Sequence, residues 1–169
     1  MIKNELVQCM KNEHIDILNK FSGLFPVPVE TVANAFGYTV NYFKPDDDTI
    51  KVASFIDRKN KTIGINNLDS EYKQRYTIAH AIGHIVYGDN IFNFHIVYKN
   101  SINSNNNDKK EIIANQFAMD LLMPKNEFMQ QFNELKKLNK SNILIFMKLS
   151  SHFGVSEQLV KIRLGAKNF

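Results

Sequence analysis

Two of the five histidines, His80 and His84, stand four residues apart in the stretch RYTIAHAIGHIV (75–86). On a helix the two imidazoles lie about 40° apart on one face, a turn from each other. At that spacing two ring nitrogens can bind one Zn²⁺, each at about 2.0–2.1 Å. Spacing alone carries little weight, because five histidines in 169 residues give such a pair by chance in roughly one sequence in ten. The surrounding residues carry more. Ile78, Ile82, Ile85 and Val86 form an apolar stripe, and the histidines lie nearly opposite it with few charges beside them. A helix with water on one face would place Lys or Glu there. A helix buried on both sides strands two imidazoles unless something pairs with them; a metal ion would do so.

A hydrolytic zinc site has three protein ligands and keeps a fourth position for water. Downstream, EIIANQFAMDLLMP (111–124) puts Glu111, Asn115, Ala118 and Leu122 along one helix line, with Ala114 beside it. These small residues, and Gly83 on the histidine helix, would let two helices approach closely. Glu111 has two readings of equal weight: a third ligand, or a first-turn carboxylate stabilised by the helix dipole. Tyr76 and Tyr87 fall within about 60° of His80 around the helix. With His95, they are candidate oxyanion or substrate contacts. The weightier reading of both tyrosines is a core aromatic with a satisfied hydroxyl, and His95 also reads as a packed histidine. Arg75 would orient the histidine helix or bind a carboxylate. His14 and His152 show no partner in the sequence and read as surface or boundary residues.

The elements that must position these groups follow from periodicity. An apolar stripe over 5–21 predicts a helix, ended by Ser22-Gly23 and by Pro26 and Pro28. A short helix over 29–36 has Gly37 just beyond it. Strands follow at 38–43, 52–57 and 62–66, the last two joined by a hairpin loop at 58–61. Asp69 or Ser70 opens a long helix running to Tyr87, and 88–90 breaks it. Residues 91–98 read as a strand or a hydrophobic lid forming one wall of a substrate cleft. The Asn-rich run 99–108 reads as an exposed, mobile loop. Helices are expected from 108 or 109 to 123, then over 125–138, 143–152 and 156–164. Strands come early and helices late, which makes the class α+β rather than an alternating βαβ fold.

The chain has 44% hydrophobic and 22% charged residues, an ordinary soluble composition. No apolar run reaches the length of a membrane span, and the first residues lack a signal-peptide core. The single cysteine, Cys9, cannot form an internal disulfide, which suits a reducing cytoplasm. A net charge of +4, with only three Arg among 21 basic residues, is no nucleic-acid signature. The helix pair 143–164 has helix-turn-helix spacing, with Lys161 and Arg163 as phosphate contacts. It carries few side chains that read bases, so direct DNA binding is not expected.

The two long motifs resemble the ImmA/IrrE family of metallopeptidases. That family's pattern is R-[FY]-T-[IL]-A-H-E-[IL]-G-H followed by E-x-x-A-N-x-F-A-x-x-L-L-M-P, here RYTIAHAIGH (75–84) and EIIANQFAMDLLMP (111–124). VPVETVANAFGYTV (27–40), TIGINN (62–67) and LSSHFGVSEQLVKIRL (149–164) are also similar to family segments, so the resemblance covers roughly 25–165. It implies a zincin-like fold, with a small antiparallel or mixed sheet of about three strands packed on the active-site helix. Residues 1–140 would form the metallopeptidase domain, and 141–169 a helix-turn-helix-like tail packed on it. It implies His80, His84 and Glu111 as ligands of one Zn²⁺, other divalent ions being compatible with the same donors. The implied activity is cleavage of a helix-turn-helix repressor, some relatives being parts of toxin–antitoxin pairs.

One position departs from the pattern. The family has Glu after the first histidine, and this chain has Ala81. That Glu is the general base of H-E-x-x-H enzymes: it takes a proton from the attacking water and passes it to the leaving amine. A side chain at 81 lies about 60° around the helix from His84, bordering the site. With Ala81 the chain should hold metal yet cleave poorly or not at all. The exchange is either engineered, the preferred reading because the flanking motif is intact, or natural in a protein that keeps the fold for binding alone.

Overall fold

A computed structural model describes residues 10–45, 52–87, 93–98, 109–138 and 141–165. Cys9, the break at 88–90 and the loop expected over 99–108 lie outside the described residues.

The first described helix, α1 (Asn12–Asn19), covers part of the stripe read over 5–21, of which residues 5–9 lie outside the described residues. Lys11 is extended (φ −69°, ψ 146°), so the helix begins after it. Met10 is buried in the core from outside the helix. Its burial continues the apolar period through a point where the backbone has already turned. Helix α2 (Val29–Ala35) buries Val29, Val32 and Ala33, and Gly37 follows it at φ 81°, the left-handed conformation expected of a glycine after a helix.

Strands β1 (Thr39–Phe43), β2 (Val52–Asp57), β3 (Thr62–Asn66) and β4 (Phe94–Tyr98) form one sheet in the order β1-β3-β2-β4. β1 pairs with β3 in parallel, and β2 pairs antiparallel with both β3 and β4. The sheet is mixed, and its four strands exceed the three expected by the segment that could also have been a lid. That segment alternates: Phe94 and Ile96 are exposed, Val97 is buried and His95 is half-buried. Period-two alternation is what an edge strand with one covered face requires. On the other face Phe94 stacks on Phe55 (5.3 Å between centroids).

Helix α3 (Glu71–Tyr87) carries the two histidines, and every residue from Tyr76 to His84 is buried. Helices α4 (Lys109–Leu122), α5 (Lys125–Lys137), α6 (Asn142–Phe153) and α7 (Glu157–Arg163) complete the described chain. Ile145, Leu149, Phe153 and Val160 share a single core cluster with Val32, Ile63 and Ile78, so the C-terminal helices pack into the same interior as the sheet. Ser141 and Ser156 cap α6 and α7 by accepting from the backbone N–H of Leu144 and Leu159. Gly154 closes α6 at φ 63°.

The three arginines all serve the fold. Arg75 donates to the carbonyls of Gly154 (2.9 Å) and Val27 (2.8 Å), tying α3 to the α6–α7 turn and to the segment before α2. The orienting role is therefore the one seen. Arg163 pairs with the buried Asp120 at 2.7 Å, and Lys161 lies 5.6 Å over the Phe146 ring. Both candidate phosphate contacts thus face the protein itself, as the packing reading of this helix pair has it. Arg163→Ala should destabilise the fold by about 3 kcal/mol, the low end for breaking a buried ion pair, because Asp120 keeps other interactions. Urea unfolding reads this; an unchanged midpoint would show that the pair holds nothing. His14 and His152 do have partners: His14 meets the Phe36 ring edge-on, and His152 packs on Phe25 and Phe153.

Candidate metal centre

The approach of α4 to α3 builds the site. A Cβ on Gly83 would stand 2.9 Å from Ala114 Cα and 3.1 Å from its carbonyl oxygen. The two backbones touch at this point, and Glu111, a turn before Ala114, is brought against the histidines. Gly83→Ala should therefore push the helices apart. The expected cost is about 1–3 kcal/mol for overpacking, with zinc affinity falling as well. A variant with parental melting and zinc titration would contradict this account of the crossing.

His80 Nε2 and His84 Nε2 are 2.9 Å apart. Glu111 Oε2 lies 3.4 Å from the first and Oε1 lies 3.2 Å from the second. All three residues are buried, and their ligand atoms fall within 4.8 Å of one another. A single cation fits this set. Two imidazole nitrogens at hydrogen-bond distance can share only one proton between them. Glu111 Oε2, buried like its neighbours, has no hydrogen-bond partner among the described residues. Two imidazoles and a carboxylate suit zinc and similar divalent ions.

The protonation states match. Burial drives the His80 pKa down, with the adjacent Glu111 opposing it, so the ring is neutral with a lone pair to give. Burial works to raise Glu111, but the rings of His80 and His84 beside it outweigh that and hold the carboxyl well below the usual range. Neutral imidazole and ionised carboxylate are the forms a metal binds.

The other candidates divide. His95 comes close: its Nε2 is 3.9 Å from Glu111 Oε1, and its ring centroid is 4.6 Å from that of His84. Burial, then the neighbouring His84, brings its pKa down to about 4. Tyr76 lies beside His80 (6.4 Å between centroids), but its hydroxyl donates to Asn115 Oδ1 at 3.1 Å. Its pKa is raised, first by burial and then by Glu111. Tyr87 meets Phe117 edge-on at 5.9 Å, as a core aromatic does. Ala81 has no exposed surface and belongs to the core cluster.

Two residues at the site were given no role by the sequence reading. Arg58, from the hairpin loop, donates to the backbone carbonyl of His84 at 3.1 Å and so fastens the loop to the turn that carries His84. Asn115 receives the Tyr76 hydroxyl one helical turn after Glu111. Asn115 was placed on the helix line of Glu111 but not paired with Tyr76; Arg58 had no local signal, because only the sheet's register brings its loop to α3.

A family model described as Peptidase_M78, IrrE N-terminal-like domain, matches residues 33–165. No curated protein matches the chain. Among solved structures, a Mycobacterium tuberculosis transcriptional regulator is similar, with a TM-score of 0.58 and 18% identity over 94% of this chain. The chain spans 47% of that regulator's length. At such identity the likeness shows a shared fold.

Proposed function

The chain belongs to the Peptidase_M78 family of IrrE N-terminal-like domains, and from that premise we propose that it is a repressor-directed metallopeptidase made inactive by Ala81. The observation that carries this reading is the convergence of His80, His84 and Glu111 at one buried point, with Ala81 immediately after the first ligand. Zinc is the ion this donor set favours. Bound there, it would supply Lewis-acid polarisation of the scissile carbonyl and a lowered pKa for the attacking water.

The protein's own residues would do the rest. Asn115 and Tyr76 support the turn of α4 that carries Glu111 and the ring of His80. β4 pairs with β2 on one side and is last in the strand order among the described residues, and in this reading its outer edge receives an extended peptide by backbone hydrogen bonds. A methyl group at position 81 can neither accept a proton from water nor return one to the leaving amine. General acid–base catalysis contributes about 10²–10⁴-fold, and its loss leaves a protein that captures its substrate without cutting it. The partner is a helix-turn-helix repressor met in the cytoplasm. Among the described residues no helix is long and apolar enough to cross a membrane. Residues 141–169 act in this reading as a packing and docking tail to the 1–140 domain.

A second reading is favoured by the complete burial of Ala81. A position sealed within the core suits a chain that keeps the fold purely for binding, as an antirepressor or a toxin–antitoxin component. Zinc-loaded protein should form a complex with its repressor that survives gel filtration, the repressor keeping its full mass. Cleavage by this Ala81 chain would overturn the assignment of inactivity, and failure to bind any helix-turn-helix protein would overturn the partner.

A further inference from the structure

The family pattern gives His95 no role, yet its ring stands beside His84 and Glu111. β4 alternates, so the covered face that holds Val97 also carries His95 towards the ligand cluster. Its ring is as close to His84 as the His80 ring is, 4.6 Å between centroids in both cases. Its Nε2 lies 3.9 Å from Glu111 Oε1. That nitrogen is buried and has no hydrogen-bond partner among the described residues, which is costly for a polar atom. The nearby Arg58 is held by the His84 carbonyl. A histidine packed merely as a core filler would have its ring nitrogens satisfied or in water.

We propose that His95 is a fourth protein ligand to the metal held by His80, His84 and Glu111, so that the resting site is closed by protein. The inference rests on the metal site proposed above. Zinc sites with four protein ligands are structural, whereas catalytic ones keep a position for water. In this chain the missing base at 81 and a fourth ligand at 95 would act in the same direction, turning a hydrolytic centre into a clamp that fastens the edge strand β4 to α3 and α4. Because β4 is also the strand a peptide would pair with, metal loading would fix the docking edge.

The test uses the full chain loaded with Co²⁺, together with His95→Ala and His95→Gln. The parent should bind one Co²⁺ with the intense visible bands of a four-coordinate ion, and added azide should leave them unchanged. Both variants should still bind one Co²⁺, with altered bands that shift on azide addition and zinc affinity lower by more than about tenfold. On the unmutated protein, zinc should move the side-chain ¹⁵N resonance of His95 Nε2 along with those of His80 and His84; this readout does not depend on a variant folding. Stoichiometric cobalt with azide-sensitive parent bands and an unmoved His95 resonance would overturn the fourth ligand and leave the three-ligand site standing. Absence of cobalt and zinc binding by the parent would overturn both.

Discussion

Glu111→Ala should lower zinc affinity by more than about 100-fold, since even partners one shell further out are worth about 10–100-fold. Glu111 supplies the only anionic donor among the three convergent residues, and its carboxyl is already held ionised by the two histidines that share the site. Removing it leaves two imidazoles 2.9 Å apart with no charge to balance a dication. The competing account, a first-turn carboxylate that serves the helix dipole, predicts a stability loss of about 0.3–1 kcal/mol and unchanged metal binding. Competition against a chromophoric chelator separates the two. Glu111→Gln, which keeps the shape and removes the charge, guards against a folding artefact. Parental affinity in both variants would remove Glu111 from the ligand set.

Ala81→Glu should give the chain endopeptidase activity towards a repressor that it binds, a gain of about 10²–10⁴-fold in the chemical step with metal binding little changed. Position 81 has no exposed surface, so the new carboxylate would be desolvated and its pKa raised, which suits a base working near neutral pH. Burying it should also cost stability, visible as a lower melting temperature. If His95 occupies the position that water needs, the gain appears only in Ala81→Glu/His95→Ala, so the two variants are assayed together. Cleavage in either supports the peptidase reading. An intact repressor with both, each holding zinc and binding the partner, would leave the binding module as the function.

The parts of the molecule that were legible in the sequence are those encoded within one element. The few charges beside the histidines of α3 announce a helix buried on both sides, and the small residues of α4 announce a close approach, whereas 91–98 left strand and lid equally open because its apolar residues Phe94 and Ile96 are the exposed ones. Gly83 was readable as a point of close approach, and the structure sets it against Ala114. Contacts between distant segments were not readable. Arg163 kept a phosphate contact as an alternative because nothing near it in sequence announces Asp120, which sits on a different helix. Arg58 was hidden for the same reason, and 5–21 was read as one helix because burial of Met10 imitates a helical period across an extended residue. The burial of Ala81 depends on what packs against α3 from outside, which a helical wheel does not contain.

The central claim is that His80, His84 and Glu111 form a metal centre. Its most direct test is elemental analysis of the full chain, purified without chelator and then dialysed against excess zinc and back into metal-free buffer. The account predicts one retained zinc ion per chain, lost in Glu111→Ala. A parent chain that keeps none, while folded by circular dichroism, would contradict it.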